Sequence, residues 1–254
     1  MSSGIALVVA HIGYEDLGAL QPCLDDLGLA SRVLHREMLR GDEPLEGVSS
    51  LLSMGSTLDP VGGELRHSRE KLLLRRAHGQ GVRVVGICFG AQLLAACLGG
   101  RVFRLPEARA GWLPAADHPG DIPDNVRVFF WNSFGFSPPP GSEVIASHGE
   151  ACTAFRNGSV LGLQFHADVT PSLLSRWIAD EGECPCADHR RRDWLQRCSG
   201  EMRSSAVLAR TLVSRHLSVS AASRRRHSPG LEGRQAPTPP TSGAVVEPRQ
   251  ARSS

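Results

Sequence analysis

Apolar and polar positions follow two alternating patterns through the first hundred residues. β-prone runs at Gly4 to Ala10, Arg32 to His35, Val48 to Met54 and Val82 to Ile87 read as strands, the last with the continuous apolar character of one buried on both faces. Between them, apolar residues recur at helical spacing. Leu17, Leu20, Leu24 and Leu27 fall three and four positions apart and predict one apolar helical stripe that ends at the Gly28 turn. A second helix is predicted from about Glu64 to His78, closed by Gly79 and Gly81. A third, short and rich in Ala and Leu, is predicted from Gly90 to Leu98 and ends at Gly99 and Gly100. Strand and helix alternating in this way specify an α/β fold, with a parallel sheet covered on both faces.

From Arg101 to Phe165 the pattern changes. Short strands at 102–105, 111–115, 126–131, 143–147 and 160–165 are separated by proline and glycine loops, which predicts antiparallel ribbons added to the parallel core. Thr170 then caps a helix that carries Pro171 in its first turn and runs to about Asp180. A last helix is predicted over Arg203 to Leu217. Beyond Val219 the chain has few large apolar residues and many Pro, Ser, Gly and Arg, so it buries too little surface to offset its ordering entropy. The organisation predicted is one domain over residues 1–217 and a disordered basic tail over 218–254.

Composition narrows the function classes. With 254 residues and 41% hydrophobic content, one sizeable core is affordable. No run approaches the roughly 18 apolar residues of a membrane span, and the N-terminus has neither a basic n-region nor a small-residue cleavage site, so no membrane partner is expected and the location expected is cytoplasmic. Seven cysteines are scattered along the chain instead of forming the dense framework of a small secreted domain, so most are expected to be thiols. The net charge is +2, but residues 219–254 hold six Arg and two Glu, which leaves the body slightly acidic. That argues against a nucleic-acid partner.

The chemistry is concentrated in two places. In VVGICFGAQLLAACLGG, Gly86, Cys88 and Gly90 form a G-x-C-x-G pattern between a buried strand and a helix. Small neighbours allow a sharp turn that lifts the side chain out of the sheet over a helix N-terminus, where the positive end of the helix dipole favours a thiolate. In VLGLQFHADVTP, His166 ends another buried strand with Asp168 two residues later, and strand alternation would put the two on one side. A cysteine, a histidine and a carboxylate that orients it form the arrangement that activates a thiol and later protonates a leaving amine. The tight His-x-Asp spacing argues against an α/β-hydrolase, whose acid precedes and stands well apart from its histidine. Cys184, Cys186 and His189 form half a zinc-like pattern with no fourth ligand at a familiar spacing, so they are read as a loop and no metal is expected. Cys97 is assigned to the core. His11, His118 and His148 have no partner pattern, and Trp112 and Trp131 are read as packing residues of the ribbons.

GICFGAQLLAACLGG together with LGLQFHADVTP resembles the class I glutamine amidotransferases, most closely the stand-alone group similar to the amidotransferase domain of GMP synthase. Cys88, Gln92, Gln164, Phe165 and His166 match the family pattern of G-x-C-x-G-x-Q followed by Q-F-H-P-E, and the likeness covers about residues 5 to 180. It implies a flavodoxin-like doubly wound, mostly parallel sheet. It also implies that Cys88 attacks the glutamine carboxamide to form a thioester and release ammonia with help from His166, without a cofactor. The oxyanion would be held by the backbone N–H of Phe89 and one from the Met54-Gly55-Ser56 turn. Gln92 would contact bound glutamine, and the backbone near Ser133 and Phe134 would hold its amino-acid end. Three positions depart from the pattern: Asp168 stands for the usual Glu, Ala167 for proline, and Ser56 for the second glycine of the oxyanion loop. With neither a synthetase domain nor a phosphate-binding loop in the sequence, two outlets are open, a separate ammonia-acceptor synthetase subunit or direct hydrolysis of a γ-glutamyl compound. A non-catalytic binding or regulatory protein on the same fold is the third alternative.

Overall fold

The computed structural model of the chain describes residues 4–11, 16–61, 65–117, 122–123, 125–180 and 188–218. Among these, nine strands join one sheet: β1 (Ile5–Ala10), β2 (Ala30–His35), β3 (Val48–Ser53), β4 (Arg83–Ile87), β5 (Val102–Pro114), β6 (Arg127–Phe136), β7 (Glu143–His148), β8 (Ala151–Asn157) and β9 (Val160–Leu163). Five α-helices accompany them: α1 (Gln21–Asp26), α2 (Leu65–Gly79), α3 (Phe89–Cys97), α4 (Pro171–Asp180) and α5 (Asp188–Ser218). The β1 sequence IALVVA shows why its strand reads as a continuous apolar run. Ala6 and Val8 pack with Leu20, Leu24, Leu208 and Val213 on one face of the sheet, while Leu7 and Val9 pack with Leu73, Leu74 and Leu94 on the other. A strand covered by helices on both sides has no solvent face to make polar.

The strands run in the order β2-β1-β3-β4-β9-β8-β6-β5, with β7 paired to β8. Pairings from β2 through β9 are parallel, and those among β9, β8, β7, β6 and β5 are antiparallel. The parallel part has the flavodoxin-like 2-1-3-4-5 order with antiparallel ribbons added at one edge, as the sequence predicts. In such sheets the functional crevice lies outside the carboxyl ends of the strands. Here β3, β4 and β9 are neighbours, so Gly55, Cys88 and His166 leave the same end of the sheet.

Several elements differ from expectation. The Leu17-to-Leu27 stripe becomes a 3-10 turn at Gly18–Leu20 followed by the short α1, because Pro22 sits at the start of the α-helix. The strands expected at 102–105 and 111–115 are one long β5 with a register break between Arg104 and Arg109, where Pro106 has no N–H to give to the ladder. β8 was not expected. Its sequence ACTAFRN has small and polar residues where a periodic strand signal would need large ones, and only its position between β9 and β6 makes it a strand. The last helix starts at Asp188 instead of Arg203; its first half anchors through Trp194, Leu195, Cys198 and Met202 beside the β5–β6 ribbon. Ser218, expected to open the disordered tail, ends α5 instead, and residues 219–254 lie outside the described residues. No described helix is long and apolar enough to cross a membrane.

α5 closes on the sheet through a buried histidine. His216 is 2% exposed and lies 3.0 Å from the Ser159 carbonyl through Nε2. Burial first, and then repulsion from Arg83 and Arg156, pushes its pKa down to about 4. A depressed value means that the unfolded chain takes up a proton between the ordinary value near 6.5 and about 4 while the folded chain does not. Stability should therefore fall as pH drops through that window, by up to about 3 kcal/mol from this group. Denaturant melts of the parent and of His216→Gln between pH 7 and 4 test this, and the variant should show the flatter profile. Parallel profiles would assign the acid sensitivity elsewhere.

Candidate active site

Cys88 joins β4 to α3 with φ 49° and ψ −105°, and it is the one non-glycine residue with positive φ among the described residues. Such a conformation costs on the order of 1–3 kcal/mol and persists only where the surroundings impose it. The surroundings are the two glycines of the motif. A Cβ on Gly90 would lie 2.1 Å from the Ser53 carbonyl oxygen, and one on Gly86 would lie 2.6 Å from Leu94 and 2.7 Å from the Ala91 nitrogen. The motif spacing thus lets α3 start directly against β3 and β4. The Cys88 N–H donates to Leu163 of β9 at 2.8 Å, which fastens the elbow to the neighbouring strand.

His166 reaches the elbow by a route the sequence reading did not foresee. β9 ends at Leu163, so strand alternation does not bring His166 and Asp168 together; a turn at 167–168 does. The His166 N–H donates to Phe129 of β6 at 2.8 Å, and the Asp168 carbonyl accepts from the Ala19 N–H at 2.9 Å. Gly18 lies so close to this turn that a Cβ there would sit 2.0 Å from the Asp168 carbonyl oxygen. Held in this way, His166 Nδ1 stands 3.1 Å from Asp168 Oδ1, with both residues buried. That contact leaves Nε2 for the thiol. Burial presses the His166 pKa down, but the charges of Asp168 and Cys88 and their hydrogen bonds outweigh it and lift the value to about 10. A raised value means that the protonated ring's contribution to stability is complete below about 6.5 and is lost as pH rises through about 10.

The two side chains open onto a cleft of about 350 Å³, within the size range of small-molecule sites. Of the residues expected at the site, Cys88, Gln92, Ser56, Ser133, Phe134 and His166 line it. Asp168 stands behind His166. Gly55 lies against the imidazole, where a Cβ would be 2.9 Å from His166 Cε1, so the glycine is required for closeness. Ser56 needs no positive φ, and its replacement of a second glycine therefore carries no backbone strain. Phe89 is buried in the first turn of α3 between the rings of His11 and His67, at 5.1 and 5.4 Å. The Gln92 amide donates to the Phe134 carbonyl at 3.0 Å and to Gln164 Oε1 at 3.2 Å, and Asn132 donates to the same carbonyl at 2.8 Å. Gln92 therefore braces the 132–134 segment as well as lining the cleft.

Other residues at the site were not singled out as site residues from the sequence. Gln164, fully buried, donates its amide to Cys88 Sγ at 3.6 Å; its place in the QFH motif was the available signal. Trp177 of α4 lies over His166 with ring centroids 4.7 Å apart, and Asp59 and Arg104 line the cleft. Trp131 lines the cleft as well, so it does more than pack the ribbons, whereas Trp112 is buried and donates its indole N–H to the Trp194 carbonyl at 3.1 Å. Two histidines read as partnerless are partnered. His11 is buried with Nε2 3.3 Å from Glu70 Oε2, and His148 meets the Asp117 carboxylate and the Pro114 carbonyl, partners 59 to 31 positions away in the chain. Cys97 is half-buried at the end of α3, and burial pushes its thiol up to about 11. His118, Cys184, Cys186 and the His189 side chain lie outside the described residues.

Residues 61–181 match the family model described as glutamine amidotransferase class-I. Over 203 residues, 70% of this chain, the sequence is 32% identical to the glutamine-hydrolysing GMP synthase of Thermus thermophilus, of which it covers 37%. It is 42% identical over 107 residues to that of Thermomicrobium roseum, covering 39% of this chain and 20% of the relative. The chain thus spans between about a fifth and somewhat over a third of the length of these relatives. A crystal structure of a glutamine amidotransferase from Thermotoga maritima superposes with a TM-score of 0.72 over 85% of this chain and 99% of its own, at 24% identity, a likeness of fold. The matched segment runs from the start of α2 through both motifs to the end of α4, so this part of the chain, which carries Cys88 and His166, is similar to the class I glutamine amidotransferases.

Proposed function

We propose that the cleft binds glutamine with its carboxamide against Cys88 and hydrolyses it to glutamate and ammonia. The thiolate attacks the amide carbon, and the resulting oxyanion is held by the N–H of Phe89 and one from the Gly55–Ser56 turn. The protonated His166 gives its proton to the departing nitrogen, leaving a glutamyl thioester. Water, deprotonated by the now neutral imidazole, releases glutamate and regenerates the ion pair. Backbone donors of this kind supply about 3 kcal/mol each when aimed at the developing charge. The observation that carries this reading is the strained elbow, which holds Cys88 at the head of α3 beside the His166–Asp168 pair. Ammonia then passes to an acceptor enzyme on a separate chain, in a cytosolic setting; the glutamine-hydrolysing GMP synthases it resembles suggest a synthetase subunit as that acceptor.

The test is ammonia release from glutamine, together with covalent labelling by an electrophilic glutamine analogue and mapping of the modified residue. Labelling at a residue other than Cys88, or none at all, would overturn the mechanism; faster cleavage of γ-glutamyl dipeptides than of glutamine would change the substrate. Within it, Asp168→Asn removes one of the two charges that together outweigh burial at His166. Turnover at saturating glutamine should fall by between about a hundredfold and ten-thousandfold. Turnover equal to the parent would exclude Asp168 from the triad.

A further inference from the structure

The His166 ring is enclosed on sides that the triad chemistry does not use. From its own turn it meets Asp168, and from the elbow it meets Cys88; these are the charged or titratable groups facing it. From β6 it meets the Phe129 ring, with centroids 6.5 Å apart, and from α4 the Trp177 indole at 4.7 Å and a tilt of 55°. Trp177 is 3% exposed yet lines the cleft. Its helix is pinned at the start by the Thr170 hydroxyl, which accepts from the Leu173 N–H at 3.2 Å, and by Leu173 and Leu174 in the cluster that also holds Trp112, Phe129 and Cys198. The indole therefore sits on a fixed element and cannot swing away without breaking that cluster.

We infer that Trp177 is a positioning residue of the thiol–imidazole pair: its indole seats the His166 ring between Cys88 and Asp168 and favours the protonated ring by cation–π attraction. Indole is the side-chain ring that attracts cations most strongly, and the centroid distance is inside the roughly 6 Å over which this attraction acts. The turn fixes the His166 backbone and one edge of its ring through Asp168. The indole supplies a rigid wall from a different element. The inference rests on His166 acting as the proton carrier proposed above, but the midpoint of its ring titration is readable without substrate.

The experiment follows the His166 ring by NMR in histidine-labelled protein, assigned with His166→Gln, for the parent, Trp177→Phe and Trp177→Leu, each checked by thermal melting. The midpoint of the imidazolium should fall by roughly one pH unit in Trp177→Leu and by less in Trp177→Phe. kcat for glutamine should fall roughly tenfold or more in the leucine variant and recover in part with phenylalanine, with KM moving less. If the leucine variant does not fold, Trp177→Phe and Trp177→Tyr carry the same comparison against the parent. An unchanged midpoint in a folded variant lacking the indole, or equal loss of kcat with leucine and phenylalanine, would reduce Trp177 to a packing residue. A parent that hydrolyses no glutamine would instead overturn the functional reading, with the ring titration still deciding the role of Trp177.

Discussion

Cys88→Ala should release no ammonia from glutamine above background, while Cys97→Ala should keep the parent's turnover. Both cysteines lie within one α-helical segment and its entry, so the contrast isolates environment from residue type. Cys88 heads α3 beside the Gln164 amide and the His166–Asp168 pair. Cys97 closes the same helix with its thiol 3.6 Å from the Lys71 carbonyl and its pKa raised to about 11, which keeps it protonated and inert. The elbow adds a second, opposite expectation. Since φ 49° is unfavourable for any residue with a Cβ, Cys88→Gly should melt above Cys88→Ala by about 1 kcal/mol, the relief of strain being partly offset by the greater freedom of glycine in the unfolded chain. Thermal melts and an ammonia assay on the three variants read both effects. Residual turnover in Cys88→Ala would remove the thioester mechanism, and a glycine variant less stable than the alanine variant would show that the elbow is not strained.

Glu70→Ala should destabilise the protein by about 3–5 kcal/mol, a loss large enough to lower the melting temperature by on the order of 10 °C. Glu70 of α2 is fully buried and accepts from the Ser53 hydroxyl at 2.7 Å, with His11 Nε2 at 3.3 Å and Arg36 Nε at 3.7 Å from its other oxygen. Removing the carboxylate strips three buried polar groups of the partner they face, whereas Glu70→Gln keeps an acceptor for Ser53 and should lose less. The consequence reaches the site, because Ser53 ends β3 just before the Gly55 turn and its carbonyl presses on Gly90 at the start of α3. Equal melting temperatures for the parent and Glu70→Ala would show that the cluster contributes nothing net.

What was legible in the sequence was whatever depends on neighbours along the chain. Continuous apolar runs marked β1, β3 and β4, since a strand covered on both faces has to be apolar throughout. Gly86 and Gly90 marked the elbow because a close approach of helix to strand excludes any side chain there, and Thr170 with Pro171 marked the start of α4. His166 and Asp168 were legible as a pair, although the reason supplied, strand alternation, was not the one that operates; a turn locked by Gly18 and Ala19 brings them together, from about 150 residues earlier in the chain. β8 was not legible, because its small and polar residues become a strand only by lying between β9 and β6. Nor was the Glu70 cluster, whose partners His11 and Ser53 stand 59 and 17 positions away, or the contact that the Gln164 amide makes with a thiol 76 positions away. Local sequence thus determined the elbow that presents Cys88 and the short segment that pairs His166 with Asp168. The electrostatic setting of those groups, including a buried imidazole held protonated by Asp168 and Cys88, was decided by tertiary structure, because burial and the approach of distant charges exist only once the sheet and its helices have closed around them.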